Sequence, residues 1–112
     1  MEPNFWLSCF LIDEDAMCRQ VRSDSKVVYI KESGKSCPTE ILDTLEKYNA
    51  EGRPIWKPMH MQPIYRENPF VSAVDADVGA DIFKRGLCLP SDIKMTADEQ
   101  EKIIEIVRCC FE

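Results

Sequence analysis

Three prolines, Pro54, Pro58 and Pro63, constrain the segment Arg53–Pro63 more tightly than any other feature constrains this chain. Proline has no amide hydrogen, so each of these residues removes a donor from any β-ladder that the segment could join. The segment therefore cannot be a regular central strand. We expect it to run extended along a surface or a cleft, with side chains that alternate in direction.

The same segment carries side chains that suit a polar, anionic ligand. Trp56 can provide a flat apolar wall, and Arg53 and Lys57 can meet a carboxylate or a phosphate. His60 and Gln62 can form hydrogen bonds with a polar substrate. The alternative is a surface connection in which Trp56 and Met59 fill the core and the polar groups are solvated. Composition alone favours that alternative.

Apolar runs outside this segment predict strands. Phe5–Asp13 is almost continuously apolar, which is typical of a strand buried on both faces or of a central strand in a mixed sheet. Lys26–Lys31 and Leu87–Leu89 predict two further short strands. The four-residue spacing of Met17 and Val21 predicts a short helix between the first two strands.

The sequence predicts three further helices, together with residues at which they start or stop. Pro38 suits a first helical position, and the apolar face that follows has a candidate stop at Gly52. Asp77 is predicted to cap a helix through Lys84, and Thr96–Glu99 is a capping box that opens the last helix. This order predicts an α+β fold, a small and mostly antiparallel sheet with helices packed on one face.

Length and charge restrict the class of protein. A chain of 112 residues is one small domain. It has 14 Lys and Arg against 20 Asp and Glu, a net charge of −6, which argues against nucleic-acid partners. No apolar run reaches the roughly 18 residues of a membrane span, and Met1–Pro3 lacks the basic start of a secretory signal. We expect a cytoplasmic protein without a membrane partner.

Six cysteines raise the question of disulfides, redox chemistry or a metal site. Disulfide-rich secreted chains contain more than about 8% cysteine, and none of these six forms a C-x-x-C pair. We therefore predict free thiols in a reducing cytoplasm and no metal site. Nothing in the sequence orients His60, the single histidine, on a thiol, so no catalytic residue is assigned.

Two stretches carry a family resemblance: RPIWKPMHMQPIY at residues 53–65 and RGLCLPSDIKMT at residues 85–96. They resemble the C-terminal part of the DegT/DnrJ/StrS aminotransferases, fold type I enzymes that use pyridoxal phosphate on nucleotide sugars. EPNFWLSCFLID is similar to the strand that opens that region in the family. The resemblance runs from about Glu2 to Phe111, and KVVYIKESGKS matches no family motif.

The resemblance implies that residues 1–112 correspond to the small C-terminal domain alone. The large domain, with the Schiff-base lysine and most of the phosphate-binding residues, has no counterpart in this chain. The parent enzyme would convert a keto nucleotide sugar to an amino sugar for polysaccharide or glycan synthesis. It would use pyridoxal phosphate as cofactor and glutamate as amino donor. It would be a homodimer with its active sites at the subunit boundary. The isolated domain is expected to be inactive and to hold no cofactor.

By the same resemblance, five residues would bind substrate at the mouth of the active site. Four of them would help to hold the nucleotide sugar: Trp56, Lys57, His60 and Gln62. The fifth, Arg53, would offer its charge to a carboxylate of the substrate or of the amino donor. Two alternatives stay open. One is a stand-alone binding or interaction module without catalysis, and the other is a cysteine-based redox or metal protein.

Overall fold

The computed structural model describes residues 1–2, 4 and 6–112, and it confirms the α+β class. Short strands and helices mix along the chain, and both sheets are antiparallel. In chain order the elements are β1 (Ser8–Leu11), β2 (Gln20–Arg22), β3 (Val27–Tyr29), α1 (Pro38–Lys47), β4 (Arg53–Pro54), α2 (Val78–Arg85), β5 (Gly86–Leu89) and α3 (Ala97–Cys109).

The prediction that Phe5–Asp13 forms a buried or central strand is wrong. The observed strand is only Ser8–Leu11, it lies at an edge of the three-stranded main sheet, and Leu11 is 45% exposed. The strand order is β1-β5-β4, so β5 takes the central place, and its Leu87 is fully buried. An apolar run shows that a strand can be buried, but not how many strands pair with it. Phe5 itself lies outside the residues that the structure describes.

A separate hairpin is formed by β2 and β3, with Val21 opposite Val28. The short helix predicted from the spacing of Met17 and Val21 is therefore wrong. The chain makes a 3-10 turn at Glu14–Ala16 and then enters β2, where Val21 gains a β-branched cross-strand partner. The strand predicted within Lys26–Lys31 is confirmed as β3.

Helix α1 begins at Pro38 as predicted but ends at Lys47, before the expected stop at Gly52. Asn49 has a φ of 59°, a left-handed conformation that ends the helix earlier. Gly52 instead lies in a tightly packed position, since a Cβ atom there would lie 2.8 Å from Cδ2 of Leu42 and 3.1 Å from the backbone oxygen of Cys88.

The other two predicted helix starts are confirmed. Asp77 caps α2, its Oδ1 accepting the amide of Ala80 at 3.0 Å, and Gly86 follows the last residue of the helix. Thr96 and Glu99 form the reciprocal capping box at the start of α3. Within the described part of the chain, no helix has the length and apolar character needed to cross a membrane.

The core lies between the main sheet and helices α1 and α3. The two helices contact each other, and α1 also contacts the short strands beside it. Phe10, Leu42, Ile103 and Val107 pack around the centre with partial burial. The fully or almost fully buried centre consists of Ile12, Ile41, Leu45, Leu87 and Cys110.

Candidate functional site

The segment Arg53–Pro63 leaves the main sheet at its edge. Its first two residues form β4, which agrees with the exclusion of a central strand. The extended course predicted for the whole segment is wrong at Met59–Met61, a 3-10 turn in which the amide of Met61 donates to the carbonyl of Pro58 at 3.0 Å. A second turn starts at Pro63. Proline is tolerated where such turns begin, because an amide at that position has no intrahelical partner.

Trp56 does not fill the core. Trp56 is 63% exposed, and Met59 is 65% exposed. The indole ring lies 6.0 Å, centroid to centroid, from that of Trp6 at an interplanar angle of 36°. The alternative in which Trp56 and Met59 fill the core is therefore wrong for these two side chains. Trp56 is available as a flat wall.

His60 is held between a carboxylate and an aromatic ring. Its Nε2 lies 2.5 Å from Oδ2 of Asp77, and its ring stacks on Phe70 with centroids 3.9 Å apart. The hydrogen bond from the Ala80 amide, together with that from His60, holds the pKa of the Asp77 carboxyl below its usual range. An ionised Asp77 accepts a hydrogen bond from Nε2–H of His60, so the histidine's Nδ1 is not engaged by this carboxylate.

Lys57 shares one carboxylate with a residue that sequence analysis missed. Its Nζ lies 2.8 Å from Oδ1 of Asp24, and the Arg66 guanidinium bonds Oδ2 of the same residue. The hydrogen bond from Lys57, followed by that from Arg66, holds the pKa of the Asp24 carboxyl below its usual range. No sequence spacing signals this cluster, because Asp24 reaches it from the turn between β2 and β3.

Helix α2 positions both halves of this site. At its start, Asp77 binds His60, and Pro58 contacts the position of Gly79, where an added Cβ would lie 3.5 Å from Cγ of Pro58. At its end, the carbonyl of Phe83 accepts from Arg22 of β2 at 2.8 Å, and the Arg22 guanidinium stacks 4.2 Å above the Phe83 ring. The hairpin that carries the acidic turn is thereby fixed beside the segment.

The two remaining predicted residues differ in their surroundings. Gln62 donates to the backbone carbonyl of Lys57 at 3.3 Å, which closes the 3-10 turn back onto the segment. Arg53 has a side chain that is 71% exposed and pairs with Glu51 at 2.7 Å. The structure thus joins Lys57 and Gln62 directly and bonds His60 and Arg53 each to a different carboxylate. Asp24, Arg66 and Asp77 are the additional members of the site.

A cavity of about 810 Å³ lies elsewhere, between α1 and α3, and no residue of Arg53–Pro63 lines it. Carboxylates outnumber lysines in its wall, so an anionic ligand is disfavoured there. These charged wall residues are Glu51, Asp92, Glu99 and Glu105 against Lys94 and Lys102. In the described part of the chain, no group of three or more metal-ligating side chains comes together.

Comparisons with known proteins identify the family of this chain. The DegT/DnrJ/EryC1/StrS aminotransferase family model matches residues 12–108, which include the whole candidate segment. A relative from Bacillus subtilis (strain 168), "Putative pyridoxal phosphate-dependent aminotransferase EpsN", is 46% identical over 75 residues. That alignment covers 66% of this chain but 19% of the relative, so the chain matches about a fifth of the relative's length. This chain belongs to the DegT/DnrJ/EryC1/StrS aminotransferase family.

Proposed function

We propose that this chain is the C-terminal small domain of a pyridoxal-phosphate-dependent aminotransferase that converts a keto nucleotide sugar to an amino sugar. In this proposal glutamate donates the amino group, and the product serves polysaccharide or glycan synthesis in the cytoplasm. Family membership and the 46% identity to a relative named as a pyridoxal-phosphate-dependent aminotransferase support it.

The residues of this chain do not fit pyridoxal phosphate on their own. None of the eight lysines in the sequence is buried in the structure, and Lys57 is bonded to Asp24. The cavity between α1 and α3 has a predominantly acidic wall, which disfavours a phosphate group. We therefore assign to this chain neither a catalytic residue nor a cofactor of its own. The isolated chain is expected to be inactive, and the cofactor belongs to the large domain of the parent.

The observations that carry the proposed binding role are an exposed indole at Trp56 and, on the residue that follows it, a lysine that shares a carboxylate with Arg66. Trp56 is 63% exposed, and Lys57 and Arg66 converge on a single carboxylate. Two cations that share one carboxylate can instead share the oxygens of a diphosphate, while the indole contacts a sugar or a base. His60 and Gln62 would add hydrogen bonds, and Arg53 would meet a carboxylate of the substrate or of the amino donor.

Exposed apolar residues around the segment support a larger assembly. Ile64 is 79% exposed and Val71 is 88% exposed, and Phe70 stacks on His60 while remaining 50% exposed. Large apolar side chains left exposed within one short stretch of chain are expected where another domain or subunit covers that stretch. We propose that the large domain and the partner subunit of a homodimer cover it in the parent enzyme.

The experiment starts from the coding DNA upstream of Met1. An open frame that continues in phase into a large domain would be expressed with this chain, and glutamate-dependent amination of keto nucleotide sugars would be assayed. The proposal predicts activity for the joined protein and none for the 112-residue chain alone. An in-frame stop, together with a monodisperse chain that binds a ligand unaided, would instead establish a stand-alone binding module.

A further inference from the structure

Two cysteines face each other across the main sheet. Cys9 of β1 is the register partner of Cys88 of β5, and their Sγ atoms lie 3.2 Å apart. Register partners on adjacent antiparallel strands project from the same face of the sheet. A disulfide bond is about 2.05 Å long, so the two sulfurs need to approach each other by roughly 1.1 Å to bond.

The two thiols differ in their access to solvent. Cys9 is exposed on the edge strand, whereas Cys88 is 1% exposed at the centre of the sheet. Burial, followed by the hydrogen bond with Cys9, raises the pKa of the Cys88 thiol to about 11. A dissolved disulfide therefore reaches Cys9 first, and Cys88 is placed to attack the sulfur of Cys9 afterwards.

We propose that Cys9 and Cys88 form a thiol–disulfide exchange site that takes a small disulfide, such as oxidised glutathione, and closes to an intrachain disulfide. The Cys9 thiolate attacks one sulfur of oxidised glutathione, the S–S bond of glutathione breaks, and one glutathione leaves. Cys88 then gives up its proton, attacks the Cys9 sulfur and displaces the second glutathione. Two protein thiols are oxidised to one disulfide, one oxidised glutathione is reduced to two thiols, and the two protons end on those thiols.

The other cysteines provide internal comparisons. Cys18 and Cys37 are neighbours but are 3% and 0% exposed, so an oxidant in solution does not reach them in the folded chain. Burial and the adjacent Cys37 side chain raise the pKa of the Cys18 thiol to about 12. Cys109 is exposed on α3, next to the buried Cys110. Cys18 and Cys37 thus serve as a pair that is close together but buried, and Cys109 serves as a cysteine that is exposed but lies on a helix.

A disulfide at this position would join the edge strand to the centre of the sheet. Cys88 is also the register partner of Arg53 in β4, so the two cysteines and Arg53 occupy one row across the three strands. The linked residues are 79 positions apart. Closing so long a loop restricts the unfolded chain, so the oxidised protein is expected to unfold at a higher urea concentration.

The experiment uses the reduced 112-residue chain, treated under native conditions with excess oxidised glutathione, alkylated, digested and analysed by mass spectrometry. The expected product is a peptide pair linked through Cys9 and Cys88, with a raised urea midpoint. Cys9→Ser, a change at an exposed position, removes both the link and the rise, whereas Cys109→Ser keeps both. A persistent glutathione adduct on Cys9 without a link, a link between Cys18 and Cys37 in its place, or no reaction would each overturn the proposal.

Discussion

Asp77 binds two elements at once: Oδ1 accepts the amide of Ala80 at 3.0 Å, and Oδ2 lies 2.5 Å from Nε2 of His60. The same carboxylate therefore starts helix α2 and fixes the only histidine of the candidate site. The orientation of His60 depends on the helix start, and a change at Asp77 can separate the two contributions.

Asp77→Ala and Asp77→Asn are expected to differ in stability. Asparagine caps a helix about as well as aspartate, so Asp77→Asn keeps the start of α2 and weakens only the charge-assisted bond to His60. Alanine removes both. The urea midpoint should fall most for Asp77→Ala and less for Asp77→Asn, with Asp75→Ala as the exposed neighbouring control. Equal midpoints for Asp77→Ala and Asp75→Ala would contradict the double role.

Acidification should destabilise the fold through its paired carboxylates. Hydrogen bonds lower the pKa values of Asp24, Asp77 and Glu99. The pKa of Asp81 is also lowered, mainly by the hydrogen bond from Arg85. A folded-state pKa below the unfolded value contributes stability above the unfolded pKa, near 4, and loses it as the pH falls through the folded pKa. Urea midpoints should therefore drop below about pH 5.

Asp81→Asn supplies the check on that pH dependence. Asp81 bonds Arg85 through both carboxylate oxygens, and Arg85 also donates to the carbonyl of Ile12 at 2.7 Å. The variant should lose stability at neutral pH and show a shallower fall on acidification than the parent sequence. A pH dependence parallel to that of the unchanged protein would rule out Asp81 as a contributor.

Replacement of Leu87 by alanine should be severely destabilising. Leu87 is fully buried in the central strand, and a truncation of this size in a packed core costs about 2–5 kcal/mol. Val71→Ala, at a residue that is 88% exposed, should stay within about 0.5 kcal/mol of the parent sequence. The free energy of unfolding from urea titrations tests both. A small loss for Leu87→Ala would contradict the assignment of β5 as the core strand.

Asp24→Asn should strengthen anion binding at the candidate site. The carboxylate of Asp24 occupies Lys57 and Arg66, and its removal frees both cations for a diphosphate. Binding of inorganic pyrophosphate, measured by calorimetry at low salt, should tighten up to about fivefold. Asp43→Asn, on the exposed side of α1, is the matched control for the change in net charge. Equal affinities for the two variants would show that Asp24 does not compete with anions.

Local signals predicted the local parts of this fold. The capping residues Asp77 and Thr96 and the first helical residue Pro38 each act on backbone groups within a few positions, and all three are confirmed. The edge position of β1 could not be predicted, because it depends on which strands pair with β5. The apolar character of the run reports burial propensity, not topology.

The residues of the candidate site likewise fall into those that the sequence predicted and those that it missed. Trp56, Lys57 and His60 were predicted as site members from the family resemblance of their segment, since their residue types alone favoured a surface connection, and their binding role remains a proposal. Asp24 and Arg66 were missed, because a hairpin 33 residues away from Lys57 brings the acidic partner into place. Non-local pairing of this kind leaves no periodic signal in one sequence.

The most direct test of the account is the steady-state kinetics of Trp56→Ala in the full-length parent, with the nucleotide sugar as the varied substrate. Tyr48→Ala is the matched control, because Tyr48 is also an exposed aromatic residue, 68% against 63%, and lines the separate cavity between α1 and α3. The account predicts that Trp56→Ala raises KM about tenfold with little change in kcat or melting temperature, while Tyr48→Ala leaves KM unchanged. An unaltered KM with a lowered melting temperature would contradict it and make the segment purely structural.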